Sequence, residues 1–219
     1  MTPATTFLGI QSVAANRPLH YVALDQELNL KEQATGDPDK VSDFAAGQAE
    51  VWVAINLPAR RPRPSNVQPG LFSGQAKPGR SIWDQAVNLI DVLKTQGFQT
   101  NLAEDNGRVV LATRADGCYS ALLGRKPFPR MTLEGRLQRQ LLLYKLGLDV
   151  PDPMEVFEEI TRHHLLQGEL PLNGLYTAPQ LDALSAAYTI FLAAARPGDV
   201  RVVDDETVGR IVLPVTTLT

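Results

Sequence analysis

Cysteine is almost missing from this chain: Cys118 is the only one in 219 residues. No intrachain disulfide can form, and a cysteine-based zinc site has no support. Histidine is nearly as scarce, with only His20, His163 and His164. The last two are neighbours near an expected helix C-terminus. Adjacent helical residues point about 100° apart, so both do not reach one ion. They read as helix-end residues favoured by the helix dipole. Aromatic residues make up 6% of the chain, and only Phe128 and Tyr144 fall within the basic cluster of Arg125 to Lys145, so a base-stacking platform is not indicated. Phosphate-cradling loops of the G-x-x-x-x-G-K-[ST] and G-x-G-x-x-G types are absent, and so is a G-x-S-x-G elbow. The net charge of -3 argues against an overall nucleic-acid footprint and leaves room for a local basic patch. The longest small-and-apolar stretch, Ala183 to Ala195, is interrupted by Ser185 and Thr189 and is too short to span a bilayer. The first residues lack a basic leader followed by an apolar run. The expectation is a cytoplasmic protein with no membrane partner.

What is present reads as one α/β domain over residues 1–219. Phe7 to Ala15, His20 to Asp25 and Leu28 to Gln33 form an opening meander of strands. A short helix follows from Asp37-Pro38 to Ala46. Val51 to Asn56 is a nearly continuous apolar run, as in a strand covered on both faces. Leu57 to Arg80 has five prolines, three glycines and five basic residues without apolar periodicity. It is expected to be a long, mobile loop. Ser81 with Asp84 opens a helix to Gln96, and Arg108 to Thr113 is a strand. Helices are expected over Asp116–Leu123, Thr132–Leu146, and Asp152 to about Gln167. Thr177 to Ala195 is the clearest helix. Leu181, Leu184, Tyr188, Phe191 and Ala195 share one apolar face, Thr177 and Gln180 fit a capping box, and Pro197-Gly198 stops it. Asp182 sits in its first turns, off that face. Arg210 to Leu213 is a last short strand. Strands first, then alternation, then a helix-rich C-terminal half suggest a mixed sheet with helices on both sides.

Charge is uneven late in the chain. Arg125, Lys126, Arg130, Arg136, Arg139 and Lys145 stand against Glu134 alone between Arg125 and Lys145. Asp149, Asp152, Glu155, Glu158, Glu159 and Glu169 stand against Arg162 alone in the next segment. One reading is two solvated helix faces that pair with each other. The other is a phosphate-facing basic surface, extended by Arg60, Arg61 and Arg63, that would take nucleic acid.

The run LLGRKPFPRMTLEGRLQRQLLLYKLGLDVPDPMEVFEEITRHHLLQGELPLNGLY, then LDALSAAYT and GRIVLP, resembles a bacterial and archaeal domain-of-unknown-function family. That family is described as predicted nucleases with a ribonuclease-H-like fold. The resemblance is close from about Val109 to Val215. It is weaker but ordered at the start, where FLGIQSVAANRPLHYVALD and VWVAINLP occupy the places of the family's strand motifs. Those motifs usually read Gly-Ile-Asp and Val-Asp-Ala-Pro, and a third reads Glu-Val-His-Pro. The family's Leu-Asp-Ala-Leu motif is intact as Leu181-Asp182-Ala183-Leu184.

The resemblance implies a ribonuclease-H-like mixed sheet flanked by helices, and a site built from acids. Here the first-strand Asp corresponds to Gln11, the next to Asn56, and the Glu to Ala112. Asp182 alone remains of the expected carboxylates. Nucleases of this kind hold hard divalent cations, Mg²⁺ or Mn²⁺, with several carboxylates. Gln and Asn offer one neutral carbonyl oxygen each. The expectation is therefore a vestigial site of Gln11, Asn56, Ala112 and Asp182 with weak or no metal binding. It goes with no cofactor and a non-catalytic binding or partner subunit, with a homo-oligomer or a protein as partner. The alternative is an active metal-dependent nuclease that recruits further acids such as Asp116 or Asp25.

Overall fold

A computed structural model of the chain describes residues 5–13, 17–58, 81–102, 107–159, 167–168 and 172–215. The expected loop beyond Pro58, with Arg60, Arg61 and Arg63, lies outside these residues. So do His163 and His164.

Seven strands form one mixed sheet: β1 (Thr6–Gln11), β2 (Leu19–Leu24), β3 (Leu30–Gly36), β4 (Val51–Asn56), β5 (Arg108–Thr113), β6 (Val200–Asp205) and β7 (Gly209–Pro214). Their order is β3-β2-β1-β4-β5-β7-β6. The meander β1-β2-β3 is antiparallel, β1, β4, β5 and β7 run parallel, and β6 is antiparallel to β7. This is an α/β fold, and its strand arrangement is consistent with the ribonuclease-H-like expectation. The described helices are α1 (Pro38–Ala46), α2 (Ile82–Thr95), α3 (Ala115–Leu123), α4 (Leu133–Lys145), α5 (Pro153–Glu159) and α6 (Ala178–Ala195).

The central strands β1 and β4 are buried along their whole length. Their side chains alternate between two cores, because successive residues of a strand point to opposite faces. Leu8, Ile10, Val53 and Ile55 pack with α1 and α2, while Phe7, Trp52 and Ala54 pack with α6 and α3. At Gly9 the backbone of α6 comes so close that an added Cβ would lie 2.0 Å from the Ala183 carbonyl oxygen. Only glycine permits that approach.

Two expectations change. The C-terminal half does not simply end in helices: α6 is followed by the β6–β7 hairpin, and only the second strand was expected. β6 reads VRVVDD, with too little alternation and too many charges to stand out as a strand. Second, α6 is not one-sided. Leu181 through Ala193 are all buried, because the helix lies on the middle of the sheet and α3 and α4 pack against it in turn. A helix apolar all round is an interior helix. Asp182, expected off the apolar face, is therefore interior too.

Candidate functional site

Parallel register aligns the C-terminal ends of β1 and β4: Gln11 lies beside Asn56, and Asn56 beside Thr113. Gln11 and Asn56 face the α6 side, and α6 delivers Asp182 next to them. The three residues line one cavity of about 300 Å³, together with Ser12, Arg114, Asp116 and Arg130. The structure thus brings together three of the four positions expected from sequence.

The fourth, Ala112, is a correction. It sits one residue short of the strand end, in the core under α1 and α2, on the opposite face of the sheet. A one-residue offset in a strand reverses the face. The residue level with Asn56 on the site side is Thr113. It is fully buried, donates to the Val212 carbonyl at 2.8 Å and lies 3.1 Å from the Cys118 sulfur. Asp25, one of the further acids considered, is also remote. It holds the β2–β3 turn by accepting from the Glu27 and Asn29 amides, at the end of the sheet where β1 begins.

The two amides are hydrogen-bonded through both their oxygen and their nitrogen. Asn56 Nδ2 donates to Gln11 Oε1, and Gln11 Nε2 donates to the Ser12 carbonyl. Asn56 Oδ1 accepts from the Ala115 backbone N–H at 2.6 Å, at the first residue of α3. Ser12 Oγ donates to Gln85 on α2. A neutral hydrogen-bonded chain therefore runs from α2 across β1 and β4 into α3.

Asp182 is the charged exception, with 1% of its surface exposed. The Arg130 Nη1 lies 3.2 Å from its Oδ2, but the guanidinium N–H groups are poorly aimed. Neither carboxylate oxygen receives a hydrogen bond from the described residues. Burial pushes the Asp182 carboxyl up to about 6, Arg130 pulls it down, Asp116 pushes it up, and Arg139 pulls it down. In the sequence Arg130 reads only as one of the basic cluster, not as a partner of Asp182. It stands just before α4, where Thr132 caps the helix by accepting from the Gly135 N–H at 3.1 Å. An added Cβ at Gly135 would lie 1.9 Å from the Pro129 carbonyl oxygen, so this glycine lets the Arg130 segment lie down on α4. The local pattern, a Pro-Arg pair before a capped helix with a glycine in its first turn, marks the segment but not its partner 52 positions on.

The expected basic surface is reduced. Arg139 is 1% exposed. It donates to the Phe128 and Gly135 carbonyls, pairs with Asp116 at 3.2 Å, and lies over the Tyr119 ring. Arg136 donates to the carbonyls of Tyr176 and Leu175. Both tie the C-terminal segments together instead of facing phosphate. Arg125 and Lys126 are exposed.

The donor set does not fit a hard divalent cation. Mg²⁺ wants several anionic oxygens in near-octahedral array. Here one buried carboxylate faces a guanidinium, two neighbours are neutral amides already bonded to each other, and Asp116 is largely exposed and paired with Arg139. Among the described residues no group of three or more His, Cys, Asp or Glu comes together to hold a metal. No helix among them is long and apolar enough to cross a membrane.

No family model matches the chain, and no curated protein matches it.

Proposed function

We propose that this protein belongs to the ribonuclease-H-like predicted-nuclease family as a non-catalytic binding or partner subunit. One observation carries the reading: Arg130 faces Asp182 in the cavity at the ends of β1 and β4, a cationic side chain where an active relative would hold a metal ion. A guanidinium there supplies positive charge without Lewis acidity and does not generate a metal-bound nucleophile. The amides of Gln11 and Asn56 keep the shape of the strand ends and remove the repulsion between acids that metals offset. The segment around Arg130 supports binding. Phe128 and Met131, close to Arg130 in the chain, are 55% and 73% exposed, apolar side chains suited to a protein partner. Nucleic acid remains the other partner class, through Arg125 and Lys126 together with Arg60, Arg61 and Arg63. A cytoplasmic location goes with either.

The test is metal-dependent cleavage. The purified protein is expected to leave DNA, RNA and hybrid duplex intact in Mg²⁺ or Mn²⁺. Combining Gln11→Asp and Asn56→Asp with Arg130→Gln should raise Mn²⁺ affinity, measured by calorimetry, because it restores anionic oxygen and removes the competing cation. Strong Mg²⁺-dependent cleavage by the unaltered protein, abolished by Asp182→Ala, would overturn the reading. It would install the second one, an active divalent-metal-dependent nuclease. That alternative has a specific observation in its favour: Asp116 lines the same cavity and pushes the Asp182 carboxyl up, so two carboxylates share the space.

A further inference from the structure

The two edges of the sheet differ. At one, β3 presents Lys31, Glu32 and Gln33, and its pairing with β2 is broken by a register shift at Ala23/Leu24. Charges and bulges of this kind protect an edge against further pairing. At the other, β6 presents Val202 and Val203, 40% and 46% exposed, in a straight uninterrupted pairing with β7.

The register fixes which backbone groups of β6 are open. Val215 donates to the Asp199 carbonyl at 2.8 Å, so 199 and 215 form a hydrogen-bonded pair. Such pairs alternate along an antiparallel ladder. Arg201, Val203 and Asp205 therefore bond to β7, and the N–H and C=O groups of Val200, Val202 and Asp204 point away from the sheet.

We infer that β6 is a homodimer edge: it pairs antiparallel with β6 of a second copy about a two-fold axis through Val203, joining two sheets into one. The charge pattern favours a second copy over another occupant. An isologous antiparallel pair sets residues equidistant from the axis opposite each other. Arg201 and Asp205 are equidistant from Val203 and opposite in charge, so each copy's Arg201 meets the other's Asp205, twice by symmetry. All four side chains lie on the face shared with Ile211, flanking the Val203–Val203 contact. Arg201 makes no ion pair among the described residues. Asp205 uses Oδ1 for the Thr207 and Val208 amides and, among the described residues, leaves Oδ2 with only Arg114, at 3.9 Å. In this register Val202 and Asp204 form the hydrogen-bonded pairs, and their outward backbone groups meet in about four inter-chain bonds. Shifting the axis to Val202 would set Arg201 against Val203 and Val200 against Asp204, with no charge pair at all. Six residues of strand make a small interface, so association should be weak and concentration-dependent.

Single introduced cysteines test the register, because Cys118 is fully buried and leaves any new thiol as the accessible one. Val203→Cys faces itself across the axis in a non-hydrogen-bonded pair, where Cα atoms stand about 4.5 Å apart, within disulfide reach. It should form a covalent dimer on mild oxidation, while Val202→Cys should not. The unaltered protein should show monomer–dimer exchange in sedimentation at micromolar concentration. Arg201→Glu should weaken it about tenfold, since two attractions become two repulsions. All these positions are exposed or at the strand end, and circular dichroism verifies that each variant is folded. A monomer throughout the accessible concentration range would overturn the inference. So would cross-linking through Val202→Cys in place of Val203→Cys, or a dimer indifferent to Arg201→Glu.

Discussion

The two faces of the sheet are built to different rules. Under α1 and α2 the core is almost purely apolar, and of its few buried polar side-chain atoms only Gln96 Oε1, at the end of α2, lacks a partner among the described residues. Ser42 donates to the Asp39 carbonyl, and Gln85 accepts from Ser12. Under α6 the packing is closer and also more polar. Gly9 admits the helix backbone, yet Asp182, Ser185, Thr189, Thr113, Cys118 and Arg139 are all interior. Both Asp182 oxygens and the Ser185 hydroxyl lack hydrogen-bond partners among the described residues. A buried polar group without a partner costs on the order of 1–3 kcal/mol. One face is thus optimised for stability, and the other carries costs that stability does not explain. Such violations of local consistency concentrate at functional sites.

The sharpest way to break this contrast is to disturb the close approach itself. Gly9→Ala would drive a methyl group into the α6 backbone, with no flexible side chain to yield. The expected loss is about 4 kcal/mol or more, read from the denaturant midpoint, since overpacking against backbone exceeds ordinary core strain. Near-normal stability would mean that α6 can slide, and that the site geometry is soft. On the apolar face, Leu89→Ala removes a side chain 2% exposed. It should cost about 3 kcal/mol through the cavity left behind. That loss should be independent of pH between 4 and 7.5, because no titratable group is involved.

How much of this was legible in the sequence follows from the same contrast. The apolar runs of β4 and β5 and the capping box at Ser81 placed those elements nearly to the residue, because each rests on local chemistry. What failed was long-range. Periodicity placed Asp182 off the apolar face of its helix, but the sheet, α3 and α4 enclose that helix. Alignment to a motif put Ala112 in the site, whereas the pleat turned it to the other face. Arg136 and Arg139 looked like surface charge, and only the fold reveals the carbonyls they satisfy. Arg130, the partner of Asp182, lies 52 positions before it in the chain, a separation that no local pattern reports.

Asp182 gives the comparison a pH signature. Its carboxyl is pushed up to about 6 by burial, above the usual value of 3.8. Well below pH 4 it is neutral in both folded and unfolded states, and its ionisation costs the fold nothing. As pH rises from about 4 to about 6 the unfolded chain ionises while the native state resists, so stability falls across that window. Above that the penalty is complete, on the order of 3 kcal/mol. Asp182→Asn should therefore stabilise the protein by about that amount at pH 7.5 and have little effect at pH 4. Arg130, partly exposed, can turn to water. Paired chemical denaturation at the two pH values decides it. A destabilised variant at pH 7.5 would show that the Arg130 pair outweighs desolvation, and that the α6 face is not carrying the cost described above.

The smallest expected effect compares the starts of the two principal helices. Ser81 and Asp84 cap α2 reciprocally: the Ser81 Oγ accepts from the Asp84 N–H at 3.1 Å, and Asp84 Oδ2 accepts from the Ser81 N–H at 2.9 Å. At α6 Thr177 and Gln180 form the expected capping box, but the Thr177 hydroxyl is turned mainly to the Gln180 side chain. Gln180 Oε1 accepts from both the Thr177 N–H and the Thr177 hydroxyl, so the hydroxyl spends itself on a side chain. Ser81→Ala removes a bond to a backbone donor of α2 and should cost about 1 kcal/mol. Thr177→Ala leaves the Thr177 N–H bond to Gln180 in place, and should cost only a few tenths of a kcal/mol. Thermal denaturation of the two variants side by side separates them. Equal losses would mean that α6 depends on its cap as α2 does. A larger loss for Ser81→Ala fits a helix that needs its own start, set against one held in place by the sheet, α3 and α4.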